Sequence, residues 1–492
     1  MALDPRTPVI VGVGQHTRRL STAVGAVEPA RMMADVLAVA ADDAGAGQAL
    51  LEAATSLRTV DMLTWRYADP PAVVARMLDI DPAEHLRSAV GGNSPQALLD
   101  DACLAIATGH HDVVLLAGAE VGYTKALARR EGVHLEWSKD DGEQPCAVMG
   151  DERPGTHDAE LAVSLFLPVQ IYPLFENAVR HAAGRSLADH SALVTGLWSR
   201  FSEVAAANPY AWSPTALTPE QIGTPSAGNR MVAFPYTKLQ VANIQVDQAA
   251  AVILCSVEAA RRHGVPEDRW VFPLAGAEAH DHWFVSERWS LAESPAIAAC
   301  GRALTAATGT APVDAAHVDL YSCFPVAVEL AADALGFGLE RQLTLTGGLT
   351  FGGGPGNNYA THGIAQVVEA CRTDPGSIGL STALGWYSTK HALGLYSTTP
   401  PANGFCRMLV QDEVDALPGR KVIQGYEGEV TVETATVGFE RDGSMANAFV
   451  ACLTPEGDRC WVTTTDDDIA GDVVAGGLLG DHATLTGGTL HR

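Results

Sequence analysis

Several things are missing from this 492-residue chain, and each absence narrows what it can be. Its nine cysteines, at Cys103, Cys146, Cys255, Cys300, Cys323, Cys371, Cys406, Cys452 and Cys460, form no CxxC pair. The count is odd, which fits a reduced compartment and argues against a disulfide framework or a structural zinc site. Positive charge is scarce: 32 Lys and Arg stand against 58 Asp and Glu, for a net charge of −26. Such a surface disfavours nucleic acid bound through a broad basic face, though a small basic pocket for a phosphate group stays open. Apolar runs such as Val113 to Ala117 are far short of a membrane span. The opening MALDPRT has no basic segment followed by an apolar one, so no secretory leader is expected. These readings predict a cytoplasmic protein with no membrane or nucleic-acid partner. Hydrophobic residues at 47% and charged residues at 18% indicate a globular chain, long enough for two or three domains.

What is present alternates. Pro8 to Gly14 reads as a buried strand, Ala30 to Gly45 as a helix, and Val60 to Trp65 as a further strand. After Gly91 and Gly92 a helix is predicted to about Thr108, then a fully buried strand from His111 to Gly118. Residues 121–238 break this rhythm with prolines and aromatic stretches, as an inserted, largely helical lobe does. A strand resumes at Asp247 to Cys255, and a second round follows. It has strands at Trp270 to Glu278, Val318 to Phe324 and Ser377 to Gly385, with helices after Pro295 and after the glycine loop Gly347 to Asn358. Gly92-Asn93 and Gly356-Asn357 each precede a helix and then a strand at the same offset, which reads as a duplicated five-stranded α/β half. Two common strand–helix patterns can also coincide in this way. From about 405 strongly alternating segments predict a small antiparallel β domain, with an irregular glycine-rich tail after Gly476.

The order of motifs resembles the thiolase superfamily over roughly residues 5 to 400. GGNSPQALLDDACLAIATGHHDVVLLAGAE (91–120) is similar to the family's nucleophile helix and following strand. DQAAAVIL (247–254) resembles its DGAAAVIL strand. YSCF (321–324) stands where relatives carry NEAF or HDCF, and GGLTFGGGPGNN (347–358) resembles the loop that ends in GHPxG. The best match is the subgroup of acetyl-CoA acetyltransferases, or thiolase-like proteins, with an additional C-terminal domain. The resemblance implies a thiolase fold with α/β/α/β/α layers. One half spans 1–120 and 239–267, a loop domain 121–238, the second half 268–404, and a small OB-like barrel 405–492. It implies a coenzyme A thioester as substrate or ligand, no permanently bound cofactor, and an acyltransferase-class role in lipid metabolism.

The departures reshape the expected chemistry. The nucleophilic cysteine position falls on Gly92, the GHP histidine on Gly354, and the second cysteine near Ser381. A glycine cannot carry an acyl group, so ping-pong transfer through position 92 is excluded on this alignment. Backbone N–H groups of Gly92, Asn93, Ser94, Gly353 and Gly354 are candidate oxyanion donors, or else these residues serve tight turns and a cap. Tyr321 resembles the tyrosine of thiolase-fold aldolases, which implies retro-aldol cleavage of a β-hydroxyacyl-CoA; the plain alternative is a ring filling a vacated site. Cys323, two residues on, is either a displaced nucleophile or a small core residue. His391 is the leading candidate base, ahead of His362 and His157. Lys390 is expected to be an exposed structural lysine or a phosphate contact. The expected protein is an enzyme that performs non-standard Claisen- or aldol-type chemistry on a coenzyme A thioester; a non-catalytic acyl-CoA-binding protein is the competing reading, and bulky side chains filling the tunnel would favour it. Thiolases pair through the strand before the nucleophile helix; Glu84, His85 and Arg87 make that edge poorly apolar, so a monomer is as credible as a homodimer. The resemblance also suggests that the β domain replaces, in cis, an OB-like partner protein.

Overall fold

The β-branched run Pro8–Thr17 forms β1, buried over its first eight residues. The computed structural model describes residues 3–138 and 144–491; Met1 and Ala2 of the N-terminal segment, 139–143 of the expected insert, and Arg492 lie outside it. Next come β2 (Ser56–Thr59), β3 (Glu84–Ser88), β4 (Val113–Val121) and β5 (Ala147–Met149). The short β6 (Met231–Ala233) and β7 (Tyr236–Thr237) precede β8 (Asp247–Ser256). The first sheet runs β1-β8-β4-β2-β3-β5. Every residue of β4 and β8 is buried, as central strands covered on both faces require. The helix Pro29–Asp43 covers one face. Gly12 and Gly14 let it come so close that a side chain on either would strike the carbonyls of Ala40 and Val36.

The second sheet holds β9 (Phe272–His280), β10 (His317–Asp319), β11 (Ile378–Gly385), β12 (Lys390–Ser397) and β13 (Cys406–Leu409), in the order β10-β11-β12-β9-β13. The helices Ser94–Ala107 and Tyr359–Thr373 share one core between the sheets, where Leu98 and Ile106 meet Ile364, Val367, Val114 and Tyr396. This is the layered thiolase arrangement. The duplication is visible strand by strand. β1–β8 and β8–β4 are antiparallel and β4–β2 parallel. β9–β12 and β12–β11 are antiparallel and β11–β10 parallel. The match stops there. β3 lies beyond β2, whereas the fifth strand of the second sheet, β13, sits at the opposite edge beside β9. The second half thus repeats four strands of the first, not five, and β13 belongs to this core sheet although it lies past residue 405.

Local differences from the sequence reading have physical causes. The strand expected at Val60 to Trp65 lies at Ser56–Thr59. A buried Arg58, whose guanidinium meets Asp101 at 2.7 Å and Glu84 at 3.3 Å, hides it from an apolar pattern. The strand expected over Val318 to Phe324 ends at Asp319. There the Asp319 carboxylate accepts from the Leu345 and Thr346 amides at 2.8 and 3.1 Å, so Tyr321 and Cys323 lie in an irregular segment.

β14 (Gly428–Phe439), β15 (Met445–Leu453), β16 (Arg459–Thr464), β17 (His482–Thr486) and β18 (Thr489–His491) form an antiparallel sheet, so the tail after Gly476 is not irregular. This sheet is fastened to the insert. Asn177, on the helix Pro168–Ala182, donates to Ala435 O at 2.9 Å, and Thr434 donates to Leu174 O at 2.7 Å. Arg459, fully buried, holds Glu433 bidentately at 2.7 and 2.6 Å and also donates to the Val285 and Ser286 carbonyls. Helices dominate the insert, the longest being Leu187–Ala207. Its strand β5 extends the first sheet by pairing parallel with β3 through Leu86–Ala147, Arg87–Val148 and Ser88–Met149.

Candidate functional site

The turn Gly91-Gly92-Asn93 leads into the helix Ser94–Ala107. Its geometry needs glycine twice. Gly91 has φ +151°, and a side chain there would collide with the Lys390 side chain. A side chain at Gly92 would collide with the Tyr321 hydroxyl and the Leu384 carbonyl. Position 92 is therefore occupied from outside: Tyr321 fills the room its side chain would take. The strand residue facing Gly92 is Leu384, not Ser381. The Ser381 hydroxyl is buried on the Asp319 side, near Gly363.

Tyr321 and Cys323 are brought together, but inside a core. Both belong to the apolar cluster with Tyr172, Phe324, Leu349, Tyr359 and Leu384. The Tyr321 ring meets Tyr359 edge-on at 5.2 Å, and only 7% of the residue is exposed. Burial raises its phenol far above the ordinary range, with the neighbouring Cys323 adding to the shift. Burial likewise pushes the Cys323 thiol up to about 12. Neither group is a base or a thiolate at neutral pH.

A cavity of about 300 Å³ lies at the start of the same helix, lined by Asn93, Ser94, Trp283, Lys390, His391 and Arg407 among others. Lys390 is buried, which corrects the expected exposed position. Its ammonium donates to Val90 O at 2.5 Å and Asp151 O at 3.4 Å, and burial brings it down to about 8. His391 is buried, with Nε2 at 3.3 Å from Asp281 Oδ2 and 3.2 Å from Ser388 O. Burial alone would raise Asp281, but His391, Arg288 and Ser294 outweigh it and hold its carboxyl below the usual range. A histidine fixed by a buried carboxylate at a cavity wall is arranged as a general base is. The Asn93 Oδ1 is buried without a hydrogen-bond partner. Asn93 does not cap the helix through its side chain, and the Ser94 hydroxyl donates to Ala89 O at 2.9 Å.

Not every expected residue joins this site. Gly353 and Gly354 are not open oxyanion donors: their N–H groups bond to Gly348 O at 3.3 Å and Asn243 O at 2.9 Å. The Ser94 N–H is likewise spent on Gly91 O at 3.0 Å. His362 is buried against Gln15 at 2.9 Å and is pushed down to about 3, which keeps it neutral. His157 caps the helix Asp158–Ala162 through Ala159 N–H at 3.0 Å. Asp281 and Trp283 are the residues that sequence reasoning passed over, since two residues in AHDHWF belong to no motif, while Lys390 was singled out but expected at the surface. The sequence shows no metal-ligand spacing, yet Glu176, His190 and Glu329 place ligand-type atoms within 4.8 Å of one another in the core. Arg185, 3.1 Å from Glu329 and 3.4 Å from His190, supplies positive charge there.

Comparison with known proteins agrees with this architecture. Residues 409–486 match the family model described as the thiolase-like protein type 1 additional C-terminal domain. The crystal structure of a monomeric SCP2-thiolase like protein type 1 from Mycobacterium smegmatis is similar with a TM-score of 0.83 and 32% identity, over 99% of this chain and 98% of that one. The acetyl-CoA acetyltransferase of Methanothermobacter thermautotrophicus is 26% identical over 322 residues, 61% of this chain and 73% of the relative. The Ltp2-ChsH2(DUF35) aldolase, at 21% identity and a TM-score of 0.60, covers 80% of this chain and 98% of its own, and shares the fold. Four strands repeated in order, the turn at Gly92, and a relative matched from end to end place the chain in the thiolase superfamily, among thiolase-like proteins that carry the additional C-terminal domain.

Proposed function

We propose that this protein binds a coenzyme A thioester and does not perform cysteine-type acyl transfer. The observation that carries the reading is the Tyr321 hydroxyl standing in the volume of the missing side chain at Gly92. Acyl transfer needs a nucleophile, a base to activate it and space for the tetrahedral intermediate. Position 92 offers glycine, Gly354 stands where the resemblance expects the base, and a buried tyrosine fills the space. Retro-aldol cleavage by Tyr321 loses support for the same reason, since a phenol raised by burial is a neutral donor and not a base. What remains at the turn is the start of a 14-residue helix, whose dipole favours a polarised carbonyl oxygen. The relation to acetyl-CoA acetyltransferases supports a thioester as the ligand class.

Calorimetric titration of acetoacetyl-CoA tests the binding half of this reading. Saturable binding is expected, weakened by Asn93→Ala, with no acetyl-CoA formed. Failure of both acetyl-CoA and acetoacetyl-CoA to bind would overturn it.

A further inference from the structure

The cavity beside the Gly91 turn contains a group that the thioester reading does not use. Lys390 is one of five lysines in the chain. It is 7% exposed, and no carboxylate lies within ion-pair distance of it among the described residues. Its Nζ meets only backbone carbonyls, those of Val90 and Asp151. Burial lowers this amine, with the nearby Asp151 charge offsetting only part of the effect, and the unprotonated fraction that results is the form in which lysine acts as a nucleophile. The surroundings suit an incoming carbonyl. Lys390 and Asn93 both line the cavity at the start of the Ser94 helix, and His391, fixed by Asp281, lines it too. The Trp283 ring lies 5.9 Å from the amine and walls one side. Glycine at 91 leaves room for this placement: a Cβ there would crowd Asn93 Oδ1 and stand 2.8 Å from Lys390 Cε.

We propose that Lys390 is a nucleophilic amine which captures a small ketone or aldehyde as an imine. The amine nitrogen attacks the carbonyl carbon, a C–N bond forms, and the C=O electron pair moves to oxygen. The C–O bond then breaks as C=N forms, and both amine hydrogens leave with the oxygen as water. No oxidant or cofactor is needed. A cavity of about 300 Å³ suits a compact oxo compound. The inference is independent of thioester binding, since a free oxo acid suffices.

The test uses the full-length protein with acetoacetate and sodium cyanoborohydride, whose hydride reduces an imine to a stable secondary amine. Peptide mapping by mass spectrometry is expected to find Lys390 labelled at least tenfold faster than any other lysine. Folded Lys390→Arg is expected to lose that label. If Lys390→Arg does not fold, the wild-type map decides alone, together with a labelling rate at Lys390 that rises between pH 6 and 9. Labelling of Lys390 no faster than of the other lysines would overturn the proposal and leave a lysine that merely staples β12 to the turn.

Discussion

At the scale of single residues, two adjacent glycines govern the site. They admit two unrelated side chains to the start of one helix, Lys390 beside Gly91 and Tyr321 beside Gly92. Gly92→Ala is expected to destabilise the protein by about 1–3 kcal/mol, the usual cost of overpacking a tight core. Adding Tyr321→Phe is expected to return only part of this, because the Leu384 carbonyl remains in the way. Denaturant midpoints of the two variants check both statements. Lys390 gives a pH signature. Its folded value of about 8 lies below the 10.5 of a free lysine, so between these values the unfolded chain binds more protons than the native one. Stability from this group therefore rises with pH through that window, with a limiting slope of about 1.4 kcal/mol per pH unit. Unfolding free energies measured from pH 8 to 10.5 are expected to show the rise in the wild type and to flatten in Lys390→Met. The glycine at 92 and the tyrosine at 321 were legible in the sequence. That the tyrosine enters the glycine's space was not, since it depends on a loop crossing between the two halves.

At the scale of elements, the repeat was legible because strand–helix order is written in local patterns. The registers that break the repeat were not. β13 carries three charged or sulfur-bearing residues in CRML, and it forms by pairing with β9, a non-local event. β10 stops after three residues because a buried aspartate turns the chain toward the glycine loop. The most consequential element is β5. The edge of β3, through which the resemblance expects dimers to form, is covered in cis by β5 from the insert. A covered edge offers no template for a second copy. The protein is expected to run as a monomer in size-exclusion chromatography with light scattering. Val148→Pro, which removes a strand donor from β5, is expected to shift it toward dimers or aggregates. A wild-type dimer at micromolar concentration would contradict this account of the edge.

At the scale of the whole molecule, the C-terminal sheet does not simply extend the core. It is tied to the insert by Asn177 and Thr434 and to the second half by Arg459, so it braces the lobe whose residues Tyr172 and Phe175 share a cluster with Tyr321. The additional domain and the filled site therefore belong to one packed unit. Alternation showed that a β domain ends the chain, but not its anchoring, which includes a fully buried arginine that an alternating pattern could not single out. Position 92 decides the chemistry, and thiolysis of acetoacetyl-CoA by the wild-type protein in the presence of coenzyme A reads it out. No acetyl-CoA above the uncatalysed background and no acylated protein by intact mass are expected. Coenzyme A-dependent release of acetyl-CoA at ordinary enzymatic turnover, roughly 1 per second or faster, would contradict this expectation.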